Sequence, residues 1–201
     1  MKIYRAVKFN ILTQGFGVKG TKPELIPLYN SLGFNAHEGF DWAVNCKDHT
    51  VKHGGQCEQV YYDLDIKGTI IGIQKSDEFG FGITARTEDK DGIFEHLWWH
   101  FDTINPDLKV GTILESGDLL GVAGNTGRTT GAHLHREMRI MGKDTYGNYY
   151  KKEPNNGYKS CIDMTPYFEN QFILDVINNL VAQIGIWQKI INVFKLLLGI
   201  K

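Results

Sequence analysis

Short apolar or alternating runs, punctuated by turn residues, fill most of the chain. KIYRAVKFNIL (2–12), GFDWAVN (39–45), QVYYDLDI (59–66), GTIIGI (68–73), FGITAR (81–86) and IFEHLWWHF (93–101) read as strands. In each, β-branched and aromatic residues recur between clusters of Gly, Asp, Asn or Lys. From Val110 to Gly131, glycines at 111, 117, 121, 124, 127 and 131 divide the chain into short strands joined by turns. Residues 142–160 are polar and rich in Tyr and Asn, the pattern of a long hairpin or loop. The period changes beyond DMTPYFEN. Thr165 followed by Pro166 marks a helix start. Ile177, Leu180, Val181, Ile184, Trp187, Ile191, Phe194 and Leu198 then recur at three- and four-residue spacing. The pattern predicts a β domain over residues 1–168 and a C-terminal amphipathic helix over 169–201.

A chain of 201 residues and 22.8 kDa fits one domain with a small appendage. Its 23 glycines against 5 prolines suit a hairpin-rich β architecture. A net charge of −1 and a pI near 6.6 give no basic footprint, which argues against nucleic acid as a partner. The start, MKIYRAVKFNILTQGFG, has neither an apolar stretch of leader length nor a small-residue cleavage site, so no export signal is expected there. Cys46, Cys57 and Cys161 are too few for a disulfide scaffold, and the odd count leaves at least one unpaired within the chain.

The segment TTGAHLHREMR (129–139) places His133 and His135 one residue apart, on the same face of a strand. Upstream, NAHEGFDWAV supplies His37 and Asp41. Along an extended strand these would stand roughly 13 Å apart, too far for one ion. Gly39 between them can turn the backbone and bring imidazole and carboxylate together. One histidine of the 133/135 pair would complete a His, Asp, His set with an open fourth position, the donor set of a catalytic zinc rather than a structural one. Zinc in such a site lowers the pKa of a bound water to about 7. The other imidazole of the pair then faces water or substrate, where it can move protons or stabilise an oxyanion.

The H-x-x-x-D segment, an aromatic-x-His-apolar strand, the run GDLLGVAGNTG and then TTGAHLHRE together resemble the lysostaphin-type (LytM-like) peptidoglycan metalloendopeptidases. TQGFG (13–17) and the close IDMTPYF (162–168) fit the same pattern, so the resemblance covers about residues 10–168. It implies one zinc ion held by His37, Asp41 and His135, with His133 and the histidine of the aromatic-x-His strand as catalytic partners. It also implies a compact, mainly antiparallel, sandwich-like β domain with the site in a groove. FEHL (94–97) and WWHF (98–101) both read aromatic-x-His-apolar. His100 stands 11 residues before Gly111, close to the family's usual interval, whereas His96 stands 15 before it. His100 is therefore chosen, with His96 as the alternative. On one strand the two would share a face, roughly 13 Å apart.

Several features depart from that pattern or stand outside it. Arg136 follows H-L-H where the family usually has an apolar residue, which implies an exposed or charge-paired back face. Glu137, on the histidine face, reads either as an acceptor that orients a metal ligand or as a strand-end surface charge. The insert CKDHTVKHGGQC (46–57) carries Cys46, His49, His53 and Cys57. Stray surface residues are its plain reading, with a second, structural zinc or a 46–57 disulfide as alternatives. Trp98 and Trp99 read as packing residues, although alternation puts Trp98 on the His100 face. Tyr29, Phe40 and Trp42 read as packing residues ahead of lining a cleft. The glycine run lacks the Lys-Ser/Thr ending of a phosphate loop.

The function expected is that of a zinc-dependent endopeptidase acting on peptidoglycan cross-links or stem peptides. His133 or His100 would take the water's proton and protonate the departing amine. Without an export signal, a phage lysin or virion-associated wall hydrolase made in a host cytoplasm is expected, or an extracellular enzyme if a leader is missing. The rivals are a non-catalytic wall-binding or partner-activating module, a virion structural component, and a metallo-carboxypeptidase. Retention of the full ligand set favours the endopeptidase over the first, and the H-x-x-x-D spacing favours it over the last. The C-terminal stripe, widened by Ile186, Ile190, Val193 and Leu196, predicts self-association or a partner groove, with membrane contact second. Gln188, Lys189, Asn192 and Lys195 interrupt it as a transmembrane span.

Overall fold

The computed structural model of the protein describes residues 1–9, 11–77 and 79–169. Ten strands form one sheet: β1 (Ile11–Gln14), β2 (Phe40–Ala43), β3 (Gln59–Tyr61), β4 (Gly68–Ser76), β5 (Gly80–Asp89), β6 (Gly92–Ile104), β7 (Ile113–Leu114), β8 (Leu119–Ala123), β9 (His133–Lys143) and β10 (Tyr149–Lys151). The order is β1-β2-β9-β6-β5-β4-β7, with β10 on β9 and the β3-β8 pair attached to β6. Every pairing between strands is antiparallel, so the expected mainly antiparallel β architecture is borne out. The C-terminal helix expected over 169–201 lies, from residue 170 onward, outside the described residues. The helix start read at Thr165–Pro166 is a single 3-10 turn, Thr165–Tyr167, after which Phe168 is extended. Among the described residues no helix is long and apolar enough to cross a membrane.

One sequence expectation needs correction. Residues 2–12 are not one strand. Ile3 makes isolated bridges to Leu64 and Phe168, and only Ile11 and Leu12 enter β1. Side-chain carboxylates satisfy several of this segment's amides: Lys2 N–H donates to Asp65 (2.7 Å), and the Lys8 and Phe9 amides donate to Glu58 (3.0 and 3.1 Å). Side chains thus replace a partner strand while Ile3, Ala6 and Val7 still reach the core. At 17–31, where the sequence pattern assigned no element, the chain forms α1 (Gly17–Gly20) and α2 (Ile26–Ser31). Elements of 4 and 6 residues are too short to show helical periodicity.

Strand β6 organises the sheet. Its first part lies between β5 and β9, and its last residues pair with β8 instead. The change of partner falls at His100, whose φ of 69° is left-handed, beside register shifts on both neighbours. This kink breaks the two-residue alternation. His96 and Trp98 point into the core, while His100 turns to the face of His133, so the two candidate histidines do not share a face. Trp98 is fully buried, as its packing reading required, rather than lining a groove.

Below the histidine face of β9, Leu134 and Met138 join Ile70, Ile83, Phe94, Trp98, Phe101 and Leu120 in the core. Arg136 lies among them, 2% exposed. Its guanidinium is clamped by Asp63 through Nε and Nη2 (both 3.1 Å), donates to the Glu137 carbonyl (2.6 Å) and to His96 Nδ1 (3.2 Å), and stacks 4.1 Å from the Trp98 ring. The charge-paired reading of Arg136 is therefore the observed one, with the pair inside the core. His96 donates through Nε2 to Thr87 (2.9 Å). Burial, and then the charge of Arg136, hold its pKa well below the usual imidazole range. It is a structural neutral histidine, not a site residue. Replacing Asp63 with alanine strands a buried guanidinium and is expected to cost about 3–5 kcal/mol, measured by denaturant unfolding.

Candidate metal centre

Strands β2 and β9 pair so that Asp41 lies directly opposite His135 and Ala43 opposite His133. The carboxylate and two imidazoles therefore meet by sheet register alone. His37 arrives from the loop before β2. Its amide donates to Thr21 Oγ1 (2.9 Å), its carbonyl accepts from Gly17 N–H (2.8 Å), and its ring Nδ1–H donates to the Gly15 carbonyl (2.9 Å). The segment TQGFG is thus a cradle for His37, and Gly17, at φ 70°, lets the chain turn back there. The chain bends at Gly39 as expected. A side chain there would also strike the Arg136 carbonyl and the His135 ring, so glycine is needed for the close approach to β9.

Three donor atoms converge. His37 Nε2 lies 3.0 Å from His135 Nδ1 and 3.2 Å from Asp41 Oδ1, and His135 Nδ1 lies 2.8 Å from Asp41 Oδ1. Neighbouring acceptors orient the two rings. His37 spends its Nδ1–H on Gly15, and His135 turns Nε2 toward Glu137 Oε1 at 3.4 Å. His37 Nε2 and His135 Nδ1 thus both face the Asp41 carboxylate, a donor set that suits a cation. Ligand atoms at zinc distances of roughly 2.0–2.2 Å sit about 3.3–3.6 Å apart on a tetrahedral face. The observed triangle is a few tenths of an ångström tighter. The residues fit zinc.

Electrostatics agree. Burial would raise the Asp41 carboxyl, but the His133 and His37 imidazoles and the hydrogen bonds of His135 and His37 hold it well below the usual range. Burial would lower His135, yet Asp41 and Glu137 push it well above the ordinary imidazole value. Glu137, 5% exposed, is no surface charge: Arg139 Nη2 (2.7 Å) and the Cys161 thiol (3.3 Å) both donate to it. Burial works against its ionisation, but Arg139 and His135 keep its pKa well below the usual range. Glu38 also approaches His135 and Glu137, on the outer side of the ring.

The other two candidate histidines flank this triangle. His133 Nε2 lies 3.5 Å from Asp41 Oδ1, and its Nδ1–H donates to the Gly131 carbonyl (2.8 Å). His100 Nδ1–H donates to the Thr126 carbonyl (2.8 Å), and its ring centre lies 4.6 Å from that of His133. In both, Nε2 is left bare and able to accept a proton. Burial, then the neighbouring His133 and His135 imidazoles, hold His100 well below the ordinary imidazole range, so it is neutral at neutral pH. His37 and His135 are buried, whereas His133 and His100 keep some exposure, so the proton-accepting pair lies on the more open side.

Structure brings all five sequence-selected residues together, and places His96 and the insert histidines elsewhere. His49 and His53 are exposed, and the insert's cysteines form a Cys46–Cys57 disulfide, which leaves no thiolates for a second zinc. Sequence reasoning set Tyr29 aside as a packing residue. Its ring lies 5.5 Å from His37, its hydroxyl accepts from Gln14 Nε2 (2.6 Å), and burial followed by the Asp41 charge raises its pKa. The signal was the glutamine of TQGFG, which has no packing reason to be buried.

Residues 65–146 match the model of peptidase family M23, a span that contains His100, His133 and His135 but not His37 or Asp41. Among solved structures, a zinc-containing peptidase from Vibrio cholerae aligns at a TM-score of 0.51 and 23% identity, over 81% of this chain and 38% of that one. The catalytic domain of the antimicrobial peptidase lysostaphin from Staphylococcus simulans aligns at 0.50 and 20% identity, over 79% of this chain and 91% of the domain. Full-length lysostaphin aligns at 0.53 and 19% identity, over 83% of this chain and 53% of its own. These likenesses are of fold, and the chain spans well under half of the Vibrio protein. No curated protein matches in sequence. Residues 65–146 match peptidase family M23, and the resemblance to lysostaphin-type peptidases read from the sequence is borne out.

Proposed function

We propose that the protein is a zinc-dependent endopeptidase that hydrolyses peptide bonds in bacterial peptidoglycan. The observation that carries this reading is the convergence of three lone pairs, from His37, Asp41 and His135, beside two histidines whose Nε2 atoms are bare. In it, His37, Asp41 and His135 hold one zinc ion. Bound zinc supplies Lewis acidity toward the scissile carbonyl and lowers the pKa of the attacking water. Through Nε2, His133 or His100 takes up the proton that the attacking water loses. The ring so protonated returns the proton to the departing amine, while its neighbour helps stabilise the developing oxyanion. Glu137 keeps the His135 ring turned so that Nδ1 faces inward.

Digestion of peptidoglycan of several chemotypes, followed by mass spectrometry of the products, tests this reading. Soluble fragments bearing a new terminal amine and a new carboxylate from an internal peptide bond are expected, their release stopped by a chelator and restored by zinc. Cleavage that persists in a metal-free preparation excludes the mechanism. Binding without any new amine favours a wall-binding module instead.

A further inference from the structure

The insert between β2 and β3 lies against the machinery described above. Its base is closed by the Cys46–Cys57 disulfide and by the Lys47 and Asp48 amides, which donate to the Gly55 carbonyl (both 3.1 Å), and residues 47–54 are exposed throughout. It nonetheless docks along the segment 124–132. The Ala132 amide donates to the His49 carbonyl (3.0 Å), and Asn125 Nδ2 donates to the Thr50 and His49 carbonyls (3.1 and 3.4 Å). Lys52 Nζ donates to the carbonyls of Gly127 (2.9 Å) and Thr129 (3.5 Å). On its other side, the Gly54 amide donates to Asp102 Oδ1 (2.9 Å), and His53 lies 3.4 Å from the same oxygen, two residues beyond His100.

The segment so held carries the two carbonyls that orient the proton-transfer histidines, Thr126 for His100 and Gly131 for His133. The insert meets none of the three zinc-ligand side chains. We propose that the disulfide-closed insert is a positioning brace for the segment 124–132, holding the Nε2 atoms of His100 and His133 toward the site only while the Cys46–Cys57 bond is intact. Opening the bond frees ten intervening residues whose exposed hydrogen bonds must then offset their own ordering entropy, and the segment behind the histidines loosens. The brace acts on proton transfer and leaves zinc in place. This inference rests on the endopeptidase reading for its activity arm only.

The test compares the oxidised full chain, loaded with zinc, with a Cys46→Ser/Cys57→Ser variant and with protein reduced by a water-soluble trialkylphosphine. In that reduction the S–S bond breaks and the phosphine is oxidised to its oxide. Water supplies the oxygen and the two protons that complete the thiols. Zinc per chain, kcat and KM are measured. Proton NMR follows the ring Nδ1–H signals of His37, His100 and His133 without substrate. Both treatments are expected to lower kcat roughly ten- to a hundredfold, with KM little changed. The His100 and His133 signals should broaden while the His37 signal and the zinc content persist. Lys52→Met, which keeps the disulfide, should give a smaller loss of the same kind. Unchanged kcat with unchanged His100 and His133 signals overturns the brace. So does joint loss of zinc and all three signals, which would mean general unfolding. If neither form cuts peptide, the NMR signals still decide the brace, separately from the hydrolase reading.

Discussion

His135→Ala is expected to abolish stoichiometric zinc binding and, with it, peptide cleavage. The change removes one of three lone pairs that meet within 3.2 Å and leaves Asp41 and His37 as a two-donor remnant. Zinc sites that turn over substrate rest on three protein ligands, so the loss exceeds the roughly 10–100-fold in affinity that follows when only a ligand's outer partner is changed. Glu137→Gln supplies that internal comparison. It keeps the shape but weakens the acceptor for the His135 Nε2–H, and its affinity loss belongs in the smaller range. Elemental analysis after dialysis, together with competition against a chromophoric chelator, measures both. A His135→Ala protein that keeps one zinc per chain, or a Glu137→Gln protein that loses as much as His135→Ala, contradicts the assignment.

His133→Ala and His100→Ala should do the opposite. Each is expected to keep zinc and to lose about 10²–10⁴ in kcat, the usual contribution of a positioned acid or base. Their ring centres are 4.6 Å apart and both present Nε2, so they act on one proton inventory. The double variant should therefore lose less than the product of the single losses. His96→Ala is the control for the choice between aromatic-strand histidines. It breaks the hydrogen bonds to Thr87 and Arg136 in the core and should lower stability while kcat of the folded fraction stays near the parent value. Equal loss of kcat on replacing His96 and His100 would undo that choice.

Much of the site was legible from spacing. Two histidines one residue apart on a strand share a face, and the β2–β9 register then lays Asp41 beside the second of them. What spacing could not show was His100. A left-handed residue inside a 13-residue strand reverses the alternation that a sequence reader must assume, so His96 and His100 looked equivalent in orientation. Arg136 was ambiguous for a related reason. A charge on the core face is tolerable only with a buried counter-charge, and Asp63 is distant in sequence. Charge at Glu137 was equally undecidable until Arg139 and Cys161 were seen around it. Alternatives for the 46–57 insert were open because cysteine and histidine at irregular spacing fit several chemistries, and only proximity of the two sulfurs selects one. Helices of one turn at 17–31 carry no periodic signal at all.

The pairing of Asp41 with His135 has a thermodynamic corollary. Two of the three donors belong to neighbouring strands, and the third, His37, enters through the loop that leads into β2. An ion seated among them is a cross-strand rivet, and occupancy and edge closure become one linked equilibrium. By mass action such a rivet adds about 2.7 kcal/mol when free zinc stands 100-fold above its dissociation constant. Starvation for the ion would then loosen the margin formed by β1 and β2 before it disturbs β4, β5 and β6, so that the molecule's mechanical integrity at this border reports the metal status of its surroundings.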